Sequence, residues 1–325
     1  LRIAQQAETL GFYSNVAYND VRAAFHAMLV QFAPEQMTRV FMCNSGSEAN
    51  ETAVKLAMKA TGRTEIVAME GGFHGRTAGA LSITHLGHYR DQFPAVVRPT
   101  TAVPLGNLEA VKNALTDDTA AIILEPIQSM NGVQHAEPAY YQELVKICHD
   151  NGTLVIFDEV QTGMGRLGAP FAADLFQAKV DLITSAKSVG NGFPMAVVLT
   201  TEAVSDTVKI GEQGTTFGGG PMACAAGLAV LEVIEEQKLV AHAAEMETLA
   251  REILVTGPVT GIRGRGLLLG LETRVPAKEL CSYLFQNKIL AGTSSVANVA
   301  RLMPPLIVQQ NDFEQLRDAL AAFDG

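Results

Sequence analysis

An α/β architecture, a sheet covered by helices on both faces, is what this sequence predicts. Three observations carry that expectation: short strands apolar throughout, amphipathic helical stretches alternating with them, and small or charged residues where the strands end. The 325 residues leave room for two domains of about 150 residues each. Hydrophobic residues make up 48% of the chain and charged residues 18%, with no long polar tract between them. Such a chain can bury a large core, which excludes a mainly disordered one.

The elements follow in order. Leu1, Ile3, Ala4, Ala7 and Leu10 fit one face of a helix that Gly11 ends. No cap and no initiator Met precede it, so the chain is expected to begin inside an element, with no signal peptide in view. Apolar runs at 40–43, 66–69, 121–124, 154–157, 182–184 and 196–200 are predicted strands. Between them the periodicity predicts helices over 47–60, 108–115 and 138–151. After Pro221 the texture changes. Helical stretches at 222–236 and 240–254 lead to an apolar run at 267–271, a helix at 277–287, a short run near Leu302 and a closing helix at 312–323. A boundary near Gln237 is expected, with a larger domain at 1–236 and a smaller α+β domain at 237–325.

Charge and composition narrow the function. Twenty-four Lys and Arg against 34 Asp and Glu give a net charge of −10, and the basic residues are scattered. That argues against a nucleic-acid or anionic-membrane surface. No apolar run approaches the ~18 residues a membrane span needs, and the longest, at 221–231, stops at Glu232. Cys43, Cys148, Cys224 and Cys281 lie far apart and read as reduced thiols of a reducing, cytoplasmic compartment. His85 and His88 have a spacing usable by a metal, but no cysteine or third histidine supports them, and no metal site is expected.

In open α/β sheets ligands sit beyond the carboxyl ends of strands, and three such ends are informative. Asn44-Ser45-Gly46-Ser47-Glu48-Ala49-Asn50 runs from a strand into a helix, where small residues let backbone N–H groups approach an anion. An ordinary cap, with Ser47 and Asn50 satisfying the first turn, is the plainer alternative. In Leu154-Val155-Ile156-Phe157-Asp158-Glu159-Val160-Gln161 an acid closes a wholly apolar strand, which is costly unless it is paired or caps the next turn. In Leu182-Ile183-Thr184-Ser185-Ala186-Lys187 a lysine closes a buried strand. Desolvation would make it a nucleophilic amine, unless it snorkels to the sheet rim. Gly163-Met164-Gly165-Arg166-Leu167-Gly168 matches GxGxxG, with Asp181 eighteen positions after Gly163. A dinucleotide reading fails there: Asp158 and Glu159 sit where a pyrophosphate would approach, and Pro170 interrupts the helix. The segment is expected to be a flexible glycine loop.

Seven motifs stand together in this order. They are Asn44 to Asn50, Gly72-Phe73-His74-Gly75-Arg76-Thr77, Glu125-Pro126-Ile127-Gln128, Phe157 to Gly163, Thr184-Ser185-Ala186-Lys187, Thr215-Thr216-Phe217-Gly218-Gly219 and Arg301-Leu302-Met303-Pro304-Pro305. Over nearly the whole chain the set resembles the class-III aminotransferases, which use pyridoxal 5′-phosphate (PLP) and include the acetylornithine and ornithine aminotransferases. The resemblance implies the fold-type-I architecture, a large domain with a mostly parallel sheet and a smaller C-terminal α+β domain. Family members normally carry a further N-terminal stretch before the point where this chain begins, so that part of the fold is expected to be absent.

The resemblance also implies roles. Lys187 matches the lysine bonded to PLP, which then serves as the base for proton transfer, and Asp158 the carboxylate facing the pyridine nitrogen. Ser45, Gly46 and Ser47 match the phosphate cradle, Phe73 the aromatic stacked on the ring, and Gln161 the partner of its phenolic oxygen. Glu159 and Val160 fall within the same cofactor-binding motif. Thr216 matches a threonine reaching the phosphate of a neighbouring subunit, which implies a homodimer. Thr215, Arg76 and Arg301 match substrate-side residues, the arginines holding carboxylates. The family often reads EPIQGE at the site of Glu125, where this chain has Ser129 and Met130. The implied reaction moves the amino group of an ω-amino acid such as N-acetylornithine to 2-oxoglutarate. An isomerase like glutamate-1-semialdehyde aminomutase, or a truncated chain that binds PLP without turnover, are the alternatives.

Overall fold

The computed structural model describes residues 2–324, so Leu1 of the first expected helix face lies outside the described residues. Strands β1 (Arg39–Cys43), β2 (Glu65–Met69), β3 (Thr101–Val103), β4 (Thr119–Leu124), β5 (Leu154–Asp158), β6 (Leu182–Ser185) and β7 (Ala196–Thr200) form one sheet. Their order is β1-β7-β6-β5-β4-β2-β3. The run from β3 to β6 is parallel, and β7 is antiparallel to both β6 and β1. All six expected strands are present. The unexpected one, β3, is three residues long, too short to show a period.

Among the described residues nine helices pack on or beside this sheet: α1 (Arg2–Thr9), α2 (Asp20–Phe32), α3 (Gly46–Thr61), α4 (Ala78–Ser82), α5 (Leu108–Ala114), α6 (Pro138–Asn151), α7 (Ala172–Leu175), α8 (Glu202–Ser205) and α9 (Pro221–Glu236). Helix α10 (Leu239–Ile253) follows α9 and gives Ala243 and Ala250 to the C-terminal core. The strands feed two cores through their alternation. Ile122 and Leu124 of β4 join a core with Phe25 and Leu29 of α2 and Tyr141 and Leu144 of α6. Ala121 and Ile123 point the other way, toward Ala49, Ala53, Leu56 and Ala57 of α3. That i, i+4, i+7, i+8 spacing lays one stripe of α3 along the sheet.

The rest of the chain has its own core. Strands β8 (Val259–Arg265), β9 (Leu268–Thr273), β10 (Gly292–Thr293) and β11 (Val299–Leu302) make an antiparallel sheet ordered β10-β11-β9-β8. Helices α11 (Ala277–Gln286) and α12 (Gln310–Ala321) complete it, and its apolar cluster runs from Ala243 to Leu320. Gln237, near which a boundary is expected, lies in the turn between α9 and α10. Periodicity did not reveal β8, because its Gly-Arg pattern leaves it largely half-buried.

The glycine segment at 163–168 is not a flexible loop. Met164 is fully buried, and Gly165 and Gly168 take φ values of 84° and 77°. A Cβ on Gly168 would lie 2.9 Å from the Cβ of Ala244 on α10. Arg166 donates from Nη1 to the carbonyls of Leu267 (3.3 Å) and Pro304, while Leu267 N–H donates back to Arg166 O at 2.8 Å. These partners lie about 75 to 140 residues further along the chain, which is why a local reading of the segment finds only flexibility.

Candidate active site

The site grows from three strand ends that the sheet order brings together. Strands β5 and β6 are neighbours with Asp158 opposite Thr184, so Asp158 closes one strand beside the Ala186-Lys187 exit of the next. From β1, beyond β7, α3 crosses back over the sheet and contacts β7, β6, β5 and β4. Its first turn therefore reaches the same place.

Asp158 is 4% exposed, and three groups offset its burial. Its Oδ2 accepts Asn50 Nδ2 at 2.8 Å and meets His74 Nδ1 at 2.7 Å, while Oδ1 accepts Val160 N–H at 3.1 Å. A carboxylate can only accept, so His74 donates from Nδ1. Asn50 also accepts Thr184 Oγ1 at 2.7 Å and donates to His74 O at 2.8 Å. One side chain of α3 thereby ties together β5, β6 and the loop after β2.

Helix α3 begins one residue before the expected start. Ser45, rather than Ser47, is its cap and accepts Glu48 N–H at 3.3 Å. Among the described residues no protein acceptor meets the Gly46 and Ser47 amides, which leaves the positive end of a 16-residue helix facing the cavity. A Cβ at Gly75 would lie 2.1 Å from Ser47 Oγ, and one at Gly46 would lie 3.0 Å from Val160 Cγ2. Gly75, with φ 134°, has no room for a side chain, and one at Gly46 would crowd Val160.

Lys187 stands in the cavity with φ 40°, a left-handed backbone that non-glycine residues seldom adopt. Its side chain is accessible through the cavity mouth. Desolvation by the surrounding walls still pushes its amine below the usual lysine pKa; Asp158 and Glu125 pull upward and Arg301 pushes further down. Buried Glu125 accepts Phe73 N–H at 2.8 Å, and burial pushes its carboxyl pKa up, with His74 pulling the other way. Phe73 meets the Tyr89 ring edge-on at 5.3 Å, and the Arg76 guanidinium lies 4.8 Å from the centre of the same ring.

The cavity, about 370 Å³, is lined by Ser45, Gly46, Ser47, Phe73, Asp158, Val160, Gln161 and Lys187 among the residues expected from sequence. The others lie elsewhere. The Glu159 carboxylate is turned away and accepts Ala172 N–H at 2.6 Å, Ala173 N–H at 3.0 Å and Thr162 Oγ1 at 3.0 Å. Glu159 caps α7 and does not face the cavity, because the strand alternation that aims Asp158 inward aims its neighbour the opposite way. Burial pushes its pKa up to about 7. Thr216 is exposed and Thr215 half-buried, neither in the cavity wall; Thr215 Oγ1 accepts Asn44 Nδ2 at 3.4 Å. Arg76 is exposed, and Arg301, half-buried, donates from Nε to Thr293 O at 2.7 Å and from Nη1 to Ser129 Oγ at 3.2 Å. Met130 lines a second cavity of about 550 Å³ with Tyr89 and Thr293.

Asn50, His74, Glu125 and Ser129 also stand around these residues, and none of them is assigned a role at the site from sequence alone. Asn50 and His74 lie inside recognised motifs, but their partner Asp158 is 108 and 84 positions away. Among the described residues no cluster of three or more His, Cys, Asp or Glu groups could hold a metal ion. No helix there is long and apolar enough to cross a membrane. The donor set suits an organic group with three handles: an anion for the α3 amides, a protonated ring nitrogen for Asp158, and an electrophilic carbon for Lys187. PLP has all three.

Comparisons with known proteins point the same way. The family model described as Aminotransferase class-III matches residues 2–323. The acetylornithine aminotransferase of Methanosarcina acetivorans is 41% identical over 322 residues, covering 98% of this chain and 80% of the relative. An ornithine aminotransferase structure from Toxoplasma gondii, with PLP partly occupying its active site, superposes with a TM-score of 0.91 at 27% identity, covering 98% and 80% of the two chains. Acetylornithine aminotransferase from Elizabethkingia anophelis superposes with a TM-score of 0.83 at 28% identity, covering 99% and 84%.

Proposed function

The chain belongs to the class-III aminotransferases, and from that membership we propose that it transfers the terminal amino group of N-acetylornithine, or a close ω-amino acid, to 2-oxoglutarate. It is a PLP-dependent aminotransferase. The reading of its residues rests on one observation: Lys187, Asp158 and the α3 N-terminus converge on one cavity.

In this reading Ser45, Gly46 and Ser47 hold the phosphate, Asp158 the ring nitrogen, Phe73 and Val160 the ring faces and Gln161 the phenolic oxygen. When bound, PLP supplies an electron-withdrawing ring that stabilises the carbanion left by proton removal. Lys187 Nζ, its pKa lowered by desolvation, would take the proton from the amine-bearing carbon and hand it to the carbon on the far side of the nitrogen. Asp158 keeps a negative charge at the ring nitrogen throughout, with Asn50 and His74 fixing its orientation. Arg76 and Arg301 hold substrate carboxylates. Thr216, exposed on its loop, contacts the phosphate in a second copy of the chain, and the enzyme is a cytoplasmic homodimer.

The test is amino transfer from N-acetylornithine with and without added 2-oxoglutarate. Stoichiometric glutamate formation supports the reading. Product formed without any oxo acid would point instead to an isomerase, and neither product would overturn catalysis by this chain.

A further inference from the structure

Ser129 has its hydroxyl at a junction that the reaction itself does not require. The residue is fully buried, directly after the Glu125-Pro126-Ile127-Gln128 turn. Its Oγ lies 3.0 Å from Gln161 Oε1 and 3.2 Å from Arg301 Nη1. The third neighbour, Met303 Sδ at 3.9 Å, is a weak acceptor.

The donors and acceptors leave one arrangement. A guanidinium can only donate, so Ser129 Oγ accepts from Arg301. Its single proton then goes to the best acceptor in reach, the Gln161 amide oxygen. With Oε1 so engaged, the other end of the Gln161 amide is the end left for the cavity, and Gln161 presents donors to it. Arg301 is pinned at Nε by Thr293 O and at Nη1 by Ser129, which leaves Nη2 without a protein acceptor among the described residues.

We propose that Ser129 is a positioning and specificity residue, whose neutral hydroxyl fixes both the donor face of Gln161 and the carboxylate-gripping edge of Arg301. The proposal rests on the aminotransferase reading and deepens it on the side of the acceptor. A carboxylate next to Arg301 would pair with the guanidinium and compete with substrate. A hydroxyl holds it in place without neutralising it, so the second carboxylate of a dicarboxylic 2-oxo acid meets an unneutralised arginine. Ser129 touches neither reacting atom and acts through its two neighbours.

The probe is glutarate, an unreactive dicarboxylate of the acceptor's length, with butyrate as the monocarboxylate control. Binding to the PLP-loaded protein is measured by calorimetry, alongside KM and kcat for 2-oxoglutarate. Ser129→Ala removes one oxygen and should weaken glutarate about tenfold, the scale of a hydrogen bond to a charged group, while butyrate changes less than about twofold. The same variant should raise KM for 2-oxoglutarate more than it lowers kcat. In both proteins the pH dependence of the bound cofactor's absorbance reports the Gln161 donor, and Ser129→Ala should shift its midpoint. Ser129→Thr retains the hydroxyl and should stay closer to the parent than Ser129→Ala in each readout.

Unchanged glutarate affinity and an unshifted absorbance midpoint in Ser129→Ala would overturn the role of Ser129 alone. Equal losses for glutarate and butyrate would also overturn it, because a purely structural defect does not distinguish the two. A parent protein that binds no glutarate and transfers no amine to 2-oxoglutarate would overturn the functional reading, and this proposal with it.

Discussion

His74 donates its Nδ1 proton to Asp158 Oδ2 across 2.7 Å, and the other ring nitrogen, Nε2, is buried without a partner among the described residues. The imidazole is thus committed to orienting one carboxylate, which makes Asp158 and His74 a single unit. Asp158→Asn keeps the shape and removes the charge, so proton abstraction should slow by about a hundredfold or more. His74→Phe should cost less, because Asn50 and Val160 still hold the carboxylate. Primary deuterium isotope effects and single-turnover rates measure this. Near-normal turnover in Asp158→Asn would reassign the residue as a structural cap.

Lys187 should carry the cofactor. Borohydride reduction followed by peptide mapping should place the pyridoxyl label on Lys187. Lys187→Ala should bind PLP without covalent attachment and lose turnover. A label on Lys179 or Lys209 would refute the assignment.

Gly75 should be irreplaceable for cofactor binding. Its φ of 134° and the 2.1 Å approach of a new Cβ to Ser47 Oγ mean that Gly75→Ala must displace the α3 cradle. PLP affinity should fall about tenfold or more, as read by cofactor fluorescence during dialysis. Affinity equal to the parent's would mean that the floor of the cavity can yield.

Arg301 should serve the dicarboxylate more than the amine donor. No carboxylate partners it among the described residues, and burial lowers its pKa, with Glu125 pulling the other way. Arg301→Ala should weaken the glutamate half-reaction about tenfold more than the ω-amine half-reaction. Met130→Glu, in the neighbouring cavity that Thr293 shares, should suppress α-amino donors by placing an acid near the guanidinium. Equal losses in both half-reactions for Arg301→Ala, with unchanged selectivity in Met130→Glu, would refute this.

Stability should carry a small acid-side contribution from His149. Its Nε2 lies 2.9 Å from Asp181 Oδ2, and that hydrogen bond raises its pKa above the usual 6.5, against desolvation. A raised folded pKa stabilises fully below the unfolded value and stops doing so as pH rises through the folded one. His149→Ala should therefore lower Tm more at about pH 5.5 than at about pH 9. The half-exposed pair should contribute under about 1 kcal/mol. Equal losses at both pH values would mean that the pair does not titrate as described.

The legible part of this fold was its mostly parallel sheet. Six strands announced themselves by uninterrupted apolar residues, which burial on both faces demands of all but the edge strand β1, and against that background Asp158 and Lys187 stood out as misplaced charges. Glu159 was not separable from Asp158 by such reasoning, since only the pleat decides which of two adjacent acids faces the cavity. Asn50 and His74 carry no local signal either; each is an ordinary polar residue until the chain crosses the sheet and sets it against Asp158. Ser129 is hidden for the same reason, as its partner Arg301 is 172 residues away.

The Arg166 clasp has a mechanical consequence. The segment leaving Asp158 is bolted through Arg166 to Pro304, three residues past Arg301. In the proposed reading, Asp158's grip on the ring nitrogen and Arg301's grip on the distant carboxylate become the jaws of one caliper. A caliper with a fixed gap selects by length: a substrate one methylene too short cannot be met by a hinge, only by side chains that stretch or a water that fills in.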